Sequence, residues 1–426
     1  MSKDKIFREL PRYLTNKRKI INDPVYGFIN INDDLIFDII EHPWFQRLRR
    51  IKQLGLTHLV YPGALHTRFH HSLGAMHLMH EAISVLRSKG IEISEEEIRG
   101  ALAGILMHDI GHGPFSHALE QALIINASHE QISQVFMEKL NEHYGDRLHT
   151  GLNIFNQKTT RRFLSQLISS QLDVDRIDYL TRDSFFTGVS EGVIGTKRII
   201  KMLNVADGNL VAESKGLYSI EKFLIARRLM YWQVYLHKTV IAAEQMLIKI
   251  LKRAKYLSRN GARLFATPHL QFFLSSDPDV DDFRNDPEIM EHYSKLDDFD
   301  VFTSIKVWSE HSDPILSFLC KGLANRKLFR CELSPAPFDY FRTERIRNNI
   351  RQLFRIAESD LEYFIYNDTT SNYAYNKDEE RIKVVFKDGS VADLLEVSDN
   401  LNISVIGKIV TKHILCYPKN ALPSQS

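Results

Sequence analysis

The chain has 426 residues, 44% hydrophobic and 25% charged. That balance excludes a largely disordered protein and suits two or three domains, or one large core with additions. Lys and Arg number 55 against 53 Asp and Glu, a net charge of +2, which argues against a surface that coats nucleic acid throughout. Three dispersed cysteines, Cys320, Cys331 and Cys416, exclude a disulfide framework and a Cys-rich zinc module and fit a reducing compartment. No apolar leader is visible, and the longest clean apolar stretch, Ala101–Met107, is far short of the ~20 residues a spanning helix needs. The expectation is a cytoplasmic protein. Histidine is the outlier: of 18, ten lie between His58 and His129, a concentration that points to metal or acid–base chemistry.

In chain order, KRKIINDPVYGFINI (17–31) reads as a basic entry, an Asn22-Asp23-Pro24 turn and a short strand. Residues 34–54 read as one helix whose second half carries Arg47, Arg49, Arg50 and Lys52, ordinarily a solvated face. LVYPGALHTR (59–68) is a Pro-Gly loop. A helix from Arg68 places His71, Ala75, Leu78, Ala82, Val85 and Leu86 on one stripe, with His70, His77, Glu81, Ser84 and Ser88 opposite, and ends at Lys89-Gly90. Ser94 and Glu97 form a capping box for the next helix. Its stripe of Ile98, Ala101, Leu102 and Ile105 continues onto Asp109, with His108 on the flank, before Gly111, Gly113 and Pro114 end it. Further helices are expected over 128–143, 159–186 and 219–255, and a hairpin around Asp207-Gly208. Residues 275–300 are acidic and read as a solvated loop or helix start, and RIKVVFKDGSVADLLEV and ISVIGKIV carry strand patterns. The fold class expected is mainly α, with domains at 1–45, 46–255 and 256–426.

Two ionisable residues, His71 and Asp109, fall on apolar stripes. Asp175 is a third if the 159–186 helix is unbroken, on the stripe of Leu164, Ile168 and Leu172. A buried carboxylate is costly unless hydrogen-bonded, paired or metal-bound. One such residue is ordinarily a satisfied core residue; three on successive helices, with His108 beside Asp109, suit a divalent ion such as Fe, Mn, Zn or Ni.

HTRFHHSLG (66–74), LMHDIGHGPFSH (106–117), HEQ (129–131) and DVDRIDYLTRD (173–183) resemble the HD-domain metal-dependent phosphohydrolases. Within them the chain is most similar to the dNTP triphosphohydrolase branch, the SAM-and-HD-domain enzyme and its bacterial relatives, without the SAM domain. The resemblance runs from about Lys19 to about Lys238. It implies an HD helical core with a smaller α+β C-terminal region, and hydrolysis of dNTPs to deoxynucleoside and triphosphate. It implies metal ligands His71, His108, Asp109 and Asp175, with Mg²⁺ accompanying the nucleotide. It places Arg68 on the phosphates and His112, His117 and His129 over the α-phosphate, His117 being the general acid. Arg176 stands where the mammalian enzyme has Lys. Tyr179 would pack under the sugar, Gln53 and Asp183 would bind the 3′-hydroxyl, and Leu54 would occlude a 2′-hydroxyl. Arg227, Tyr235 and Lys238 match positions that reach phosphate or sugar. Lys19, Ile20, Asn22, Glu41, Gln46 and Arg49 match an effector site for dGTP or GTP in a homo-oligomer, dimer or tetramer. Asp178 is either structural or orients Arg182.

Two other readings compete. One is an HD phosphohydrolase acting on a nucleoside monophosphate, a cyclic dinucleotide or an alarmone; the absence of a Gly-Tyr-Pro signature counts against the cyclic dinucleotide. The other is a non-catalytic, metal-containing protein whose basic stretch binds single-stranded nucleic acid weakly.

Overall fold

A computed structural model of the chain describes residues 17–372, 375, 381–398 and 409–422, apart from 116, 125 and the side chains of His117 and Asn372. Strands β1 (Lys19–Asp23) and β2 (Gly27–Ile31) form an antiparallel hairpin, not the single strand expected. Helices α1 (Asp34–Glu41) and α2 (Pro43–Gln46) follow. Residues 34–54 are not one helix, because Pro43 holds His42 in extended backbone (ψ 136°).

The helical layer then comprises α3 (Arg68–Ser88), α4 (Glu95–Met107), α5 (His117–Ala122), α6 (His129–His143), α7 (His149–Phe155), α8 (Arg162–Ile168) and α9 (Val174–Thr187). Ser94 and Glu97 cap α4 reciprocally, at 3.2 and 2.8 Å, as Ser128 and Gln131 cap α6. The expected 159–186 helix is two. Ser169 turns extended after α8, and Asp173 restarts the helix by accepting from the Arg176 amide. Asp175 therefore lies on α9 and not on the Leu164–Ile168–Leu172 stripe.

After α10 (Thr196–Met202), strands β3 (Leu203–Ala206) and β4 (Asn209–Glu213) pair around Asp207 and Gly208, both at positive φ. The expected 219–255 helix is also interrupted. α11 (Leu217–Met230) runs into a π-turn over Tyr231–Tyr235, and His237 then restarts it as the N-cap of α12 (Lys238–Arg259). π-turns re-aim side chains and recur at functional sites; here the turn delivers Tyr235 to Asp183.

The acidic stretch is a series of helix caps: Asp279, Asp286 and Asp297 open α14 (Val280–Asn285), α15 (Pro287–Tyr293) and α16 (Asp298–Trp308), which follow α13 (Pro268–Ser275). α17 (Pro314–Ala324), β5 (Arg330–Ser334), α18 (Tyr340–Phe354), β6 (Tyr366–Asn372), β7 (Lys383–Val385), β8 (Val391–Asp393), α19 (Leu394–Val397) and β9 (Val410–Tyr417) complete the described chain. The ISVIGKIV pattern falls, up to residue 408, outside the described residues. β9 sits between β5 and β6, while β7 adds in parallel to β4. The C-terminal region thus extends a sheet begun in the helical core. Cys331 and Cys416, remote in sequence, lie opposite each other across β5 and β9 as free thiols. No helix of the described residues is long and apolar enough to cross a membrane.

The run Arg47–Lys52 is only partly a solvated face: Arg49 and Arg50 are exposed, but Arg47 is not. Arg47 is fully buried between the rings of Phe136 and Tyr293 and donates to the carbonyls of Ile110 (2.8 Å) and Leu296 (3.2 Å). Burial lowers its pKa to about 10, so it remains charged at neutral pH. Arg50 pairs with Asp297, and Lys52 with Asp298 at 3.2 Å. Arg47 bolts the turn after α4 to the α15–α16 corner, and Arg50 and Lys52 tie the segment after α2 to the same corner. Arg47→Met keeps the length but removes both donors, stranding two buried carbonyls at ~1–3 kcal/mol each. The denaturation midpoint should fall clearly, while the exposed Arg49→Met should change stability by no more than ~0.5 kcal/mol. Equal shifts in urea melts would show that Arg47 is not a bolt.

Candidate metal centre and active site

Four side chains from three elements meet beside Arg68. His71 lies one turn into α3, His108 caps the C-terminus of α4 with Asp109 next to it, and Asp175 sits in the first turn of α9. His71 Nε2 is 3.2 Å from His108 Nε2, 3.0 Å from Asp175 Oδ1 and 3.8 Å from Asp109 Oδ2. His108 Nε2 is 3.4 Å from Asp109 Oδ1 and 3.5 Å from Asp175 Oδ1. The opposite ring nitrogens set the tautomers. His71 Nδ1 donates to Asp178 Oδ2 (2.8 Å), and His108 Nδ1 donates to the Ile105 carbonyl (2.6 Å). In neutral imidazoles both Nε2 atoms are then acceptors. Two lone-pair nitrogens and two carboxylates facing one another cannot satisfy each other; they require protons or a cation.

This donor set fits a divalent transition metal: two imidazoles and two carboxylates of borderline softness, each histidine oriented from behind by a hydrogen-bond acceptor. Three of the four, His71, His108 and Asp175, bring ligand atoms close enough for one ion. Without one, protons supply the charge. Burial alone depresses the His71 imidazolium, but its bonds to Asp175 and Asp178 prevail and raise its pKa to about 10. Burial likewise opposes charge on His108, and the Asp109 and Asp175 carboxylates override it, raising its pKa. Asp109 is buried too, and the charges of His108 and Arg68, with a hydrogen bond from His112, outweigh that burial and hold it well below the usual carboxylate range. Arg68 Nη1 lies 2.5 Å from Asp109 Oδ2.

A second group flanks the first. His112 and His129 stack at 3.8 Å, His112 Nε2 is 3.2 Å from Asp109 Oδ1, and His129 Nδ1 is 3.1 Å from Glu120. Gly111 makes the stack possible: a Cβ there would lie 2.2 Å from the Ser133 nitrogen and 2.4 Å from the His129 carbonyl. Burial, reinforced by Arg68, pushes the pKa of His112 well below the ordinary value, so it is neutral at neutral pH. His112, Glu120 and His129 could themselves hold a cation. His117 opens α5, but its side chain lies outside the described residues.

The residues expected at the sugar divide. Asp183 accepts from Tyr235 Oη (2.8 Å) and from His66 Nε2 (2.7 Å), and Tyr179 lies against Tyr235 at 6.1 Å. Arg227 is buried, with Nε and Nη1 unpartnered among the described residues. Arg176 Nε holds Asp173 at 3.1 Å. Gln53 has its backbone N–H on the His66 carbonyl and a buried Oε1 with no partner among the described residues, and Leu54 packs on the core. Lys238 is exposed and faces a cavity of about 660 Å³ with Arg326, Arg330 and Lys419. Of the expected effector residues, Lys19 pairs with Glu41 (2.7 Å), Gln46 accepts from Arg49 (2.8 Å), Arg49 stacks on Phe69, and Ile20 and Asn22 are exposed. His66, Glu120 and Asp23 were missed by sequence reasoning. Asp23 lies in the Asn22-Asp23-Pro24 turn, His66 in the HTRFHHSLG motif and Glu120 one helix turn after His117, but the partners of Asp23 and His66 are remote in sequence.

Residues 68–183 match the HD domain and residues 194–263 the HD associated region. YwfO, an uncharacterised protein of Bacillus subtilis, is 32% identical over 433 residues, 97% of this chain and 95% of its own. A crystallised phosphohydrolase of Bacteroides thetaiotaomicron is 52% identical with a TM-score of 0.91, covering 94% of this chain and 99% of that one. The chain belongs to the HD-domain phosphohydrolases. A Dictyostelium discoideum protein named as a SAMHD1 homologue, a deoxynucleoside triphosphate triphosphohydrolase, is 33% identical over 54% of this chain, which spans about half (48%) of that relative. The sequence expectation of a mainly helical HD core with small C-terminal sheets holds. So does the expected relation to the SAMHD1 enzymes.

The raised imidazole pKa values fix the sign of a pH effect. His71 charges more readily folded than unfolded, so its contribution to the metal-free HD protein is full below pH 6.5 and is lost as pH rises through about 10. A divalent ion must displace these protons, so its binding strengthens with pH and releases protons. Metal-stripped protein should melt at falling temperatures across that interval, and Mn²⁺ should restore progressively more of the loss. Melting scans with and without Mn²⁺ test this; a pH-independent Mn²⁺ effect would contradict it.

Proposed function

We propose that this HD phosphohydrolase is a dNTP triphosphohydrolase, converting deoxynucleoside triphosphates to deoxynucleoside and triphosphate. The observation that carries the reading is the cluster of His71, His108, Asp109 and Asp175 beside Arg68, with N–H groups of Arg227 that have no partner among the described residues elsewhere in the core. The name of the Dictyostelium relative supports the same substrate class. The four ligands would hold one Fe, Mn, Zn or Ni ion, with Mg²⁺ arriving on the nucleotide. Such an ion polarises phosphoryl oxygens and acidifies water.

The remaining work belongs to the chain. Arg68, Arg176 and Arg227 neutralise the phosphates, where planar guanidinium forks suit paired oxygens. Water attacks the α-phosphorus and the bond to the 5′-oxygen breaks. His117 delivers the proton that oxygen needs, with His112 and His129 against the α-phosphate. Gln53 and Asp183 take the 3′-hydroxyl, with Asp183 held by His66 and Tyr235; Tyr179 supports the sugar; and Leu54 leaves a 2′-hydroxyl without a partner. Lys238 reaches toward the phosphate tail. Lys19, Ile20, Asn22, Glu41, the half-buried Gln46 and Arg49, on the hairpin, α1, α2 and the turn after it, are offered to a dGTP or GTP effector in a homo-oligomer.

Product analysis on a dNTP panel tests the reading: nucleoside plus triphosphate is expected. Monophosphate plus pyrophosphate, or turnover of monophosphates alone, would select a different HD phosphohydrolase. His117→Ala should retain metal and lose turnover by ~10²–10⁴-fold. A loss of bound metal in that variant would remove its role as acid.

Leu54→Ala should raise the rate on ribonucleotides relative to dNTPs, because stranding a buried hydroxyl costs ~1–3 kcal/mol. Competition assays with ATP and dATP read this directly, and wild-type protein that already turns over both equally would refute the assignment.

A further inference from the structure

Behind the metal cluster runs a buried chain of charges that the proposed chemistry does not use. His71 Nδ1 donates to Asp178 Oδ2 at 2.8 Å. Arg182 closes a fork on the same carboxylate, Nε on Oδ2 and Nη2 on Oδ1, both at 3.0 Å. The remaining Arg182 nitrogen, Nη1, donates to Asp23 Oδ2 at 2.7 Å. Asp23 closes the β1–β2 turn, its Oδ1 accepting from the amides of Val25 and Tyr26, each at 2.9 Å. The side chains of His71, Asp178, Arg182 and Asp23 are 1%, 0%, 0% and 3% exposed. The chain is therefore walled off from water along its length.

Space is reserved for it. A Cβ on Gly74 would come within 2.1 Å of both Arg182 Nη2 and Asp178 Oδ1, so α3 carries glycine where the fork crosses it. The two carboxylates and one guanidinium leave one negative charge, which is directed at the imidazole. A lone buried Asp178 would be expensive and free to rotate; the planar fork fixes its plane, and Asp23 fixes the fork.

We propose that Asp178, Arg182 and Asp23 are positioning residues that hold the His71 tautomer and aim its Nε2 into the metal cluster, making the N-terminal hairpin part of the metal site. The proposal rests on the reading of His71 as a ligand. A carboxylate behind a ligating histidine raises its basicity and fixes its ring, and losing such a partner typically costs 10–100-fold in metal affinity. Asp23 acts at one remove, through a hairpin turn more than 150 residues away in sequence from Arg182.

Co²⁺ titration of metal-stripped full-length protein, read by its visible ligand-field absorption, tests this without any substrate. Asp178→Asn should weaken Co²⁺ by about 10–100-fold. Asp23→Asn should weaken it by about tenfold, on the order of the lower end of that range, with the absorption band shifted because His71 is re-aimed. Arg182→Lys, which keeps the charge but not the fork, should resemble Asp23→Asn. Gly74→Ala should do the same without altering any charge. Thermal melting of each variant with no metal present separates lost folding from lost aim. A folded Asp23→Asn protein with wild-type Co²⁺ affinity and spectrum would overturn the relay. His71→Ala is the control on the underlying reading: if it still binds Co²⁺ as wild type does, the ligand assignment itself is wrong, whatever the relay variants show.

Discussion

Four proton-accepting groups, all but the half-buried Asp175 enclosed by the core, face one another, and much else in the core follows from that constraint. His71, His108, Asp109 and Asp175 carry lone pairs into a space where they cannot pair among themselves. Burial makes that convergence costly unless positive charge enters. The protein supplies part of it through Arg68 on Asp109, and protons or a divalent ion supply the rest. Backing each imidazole with an acceptor, Asp178 or the Ile105 carbonyl, commits the ring nitrogens that face the cluster to accepting. The tautomers are set by the fold before any ligand arrives.

Holding such a centre requires rigid surroundings, and the chain builds them from buried polar anchors as much as from apolar packing. Arg47 ties the turn after α4 to the α15–α16 corner through two carbonyls and two aromatic faces. Tyr293 donates to the Gly111 carbonyl, and Ser133 accepts from the Gly111 amide, so α6 is drawn against the turn that carries His112. The C-terminal region therefore belongs to the site's scaffold: without α15 and α16, the carbonyls of the HD turn and the guanidinium of Arg47 would lose partners in the interior.

The candidate site was legible where chemistry and periodicity coincide. Polar residues on apolar stripes marked His71 and Asp109, because a helix displays its buried face every three or four residues. The glycines and proline after Asp109 pointed to a helix end close by, and α4 stops at Met107 with His108 as its cap, before Asp109. Segment ends were less legible. The 159–186 and 219–255 stretches keep helical periodicity across Ser169–Asp173 and Tyr231–His237, and nothing in periodicity distinguishes a continuous helix from two helices whose faces agree. Asp173 and His237 as N-caps decide it, through bonds to their own downstream amides.

By itself, the sequence determined the helical class, the HD motifs in order, the capping of α4 and the turn at Asp207-Gly208, since each depends on contacts within a few residues. Only the tertiary structure decided that Arg47 is interior, that Cys331 meets Cys416, that His66 holds Asp183, and that Asp23 reaches Arg182 and through it His71. The reason is physical. A polar side chain reads as solvated until its partner and its burial are known, and these partners lie 63, 85, 117 and 159 residues away.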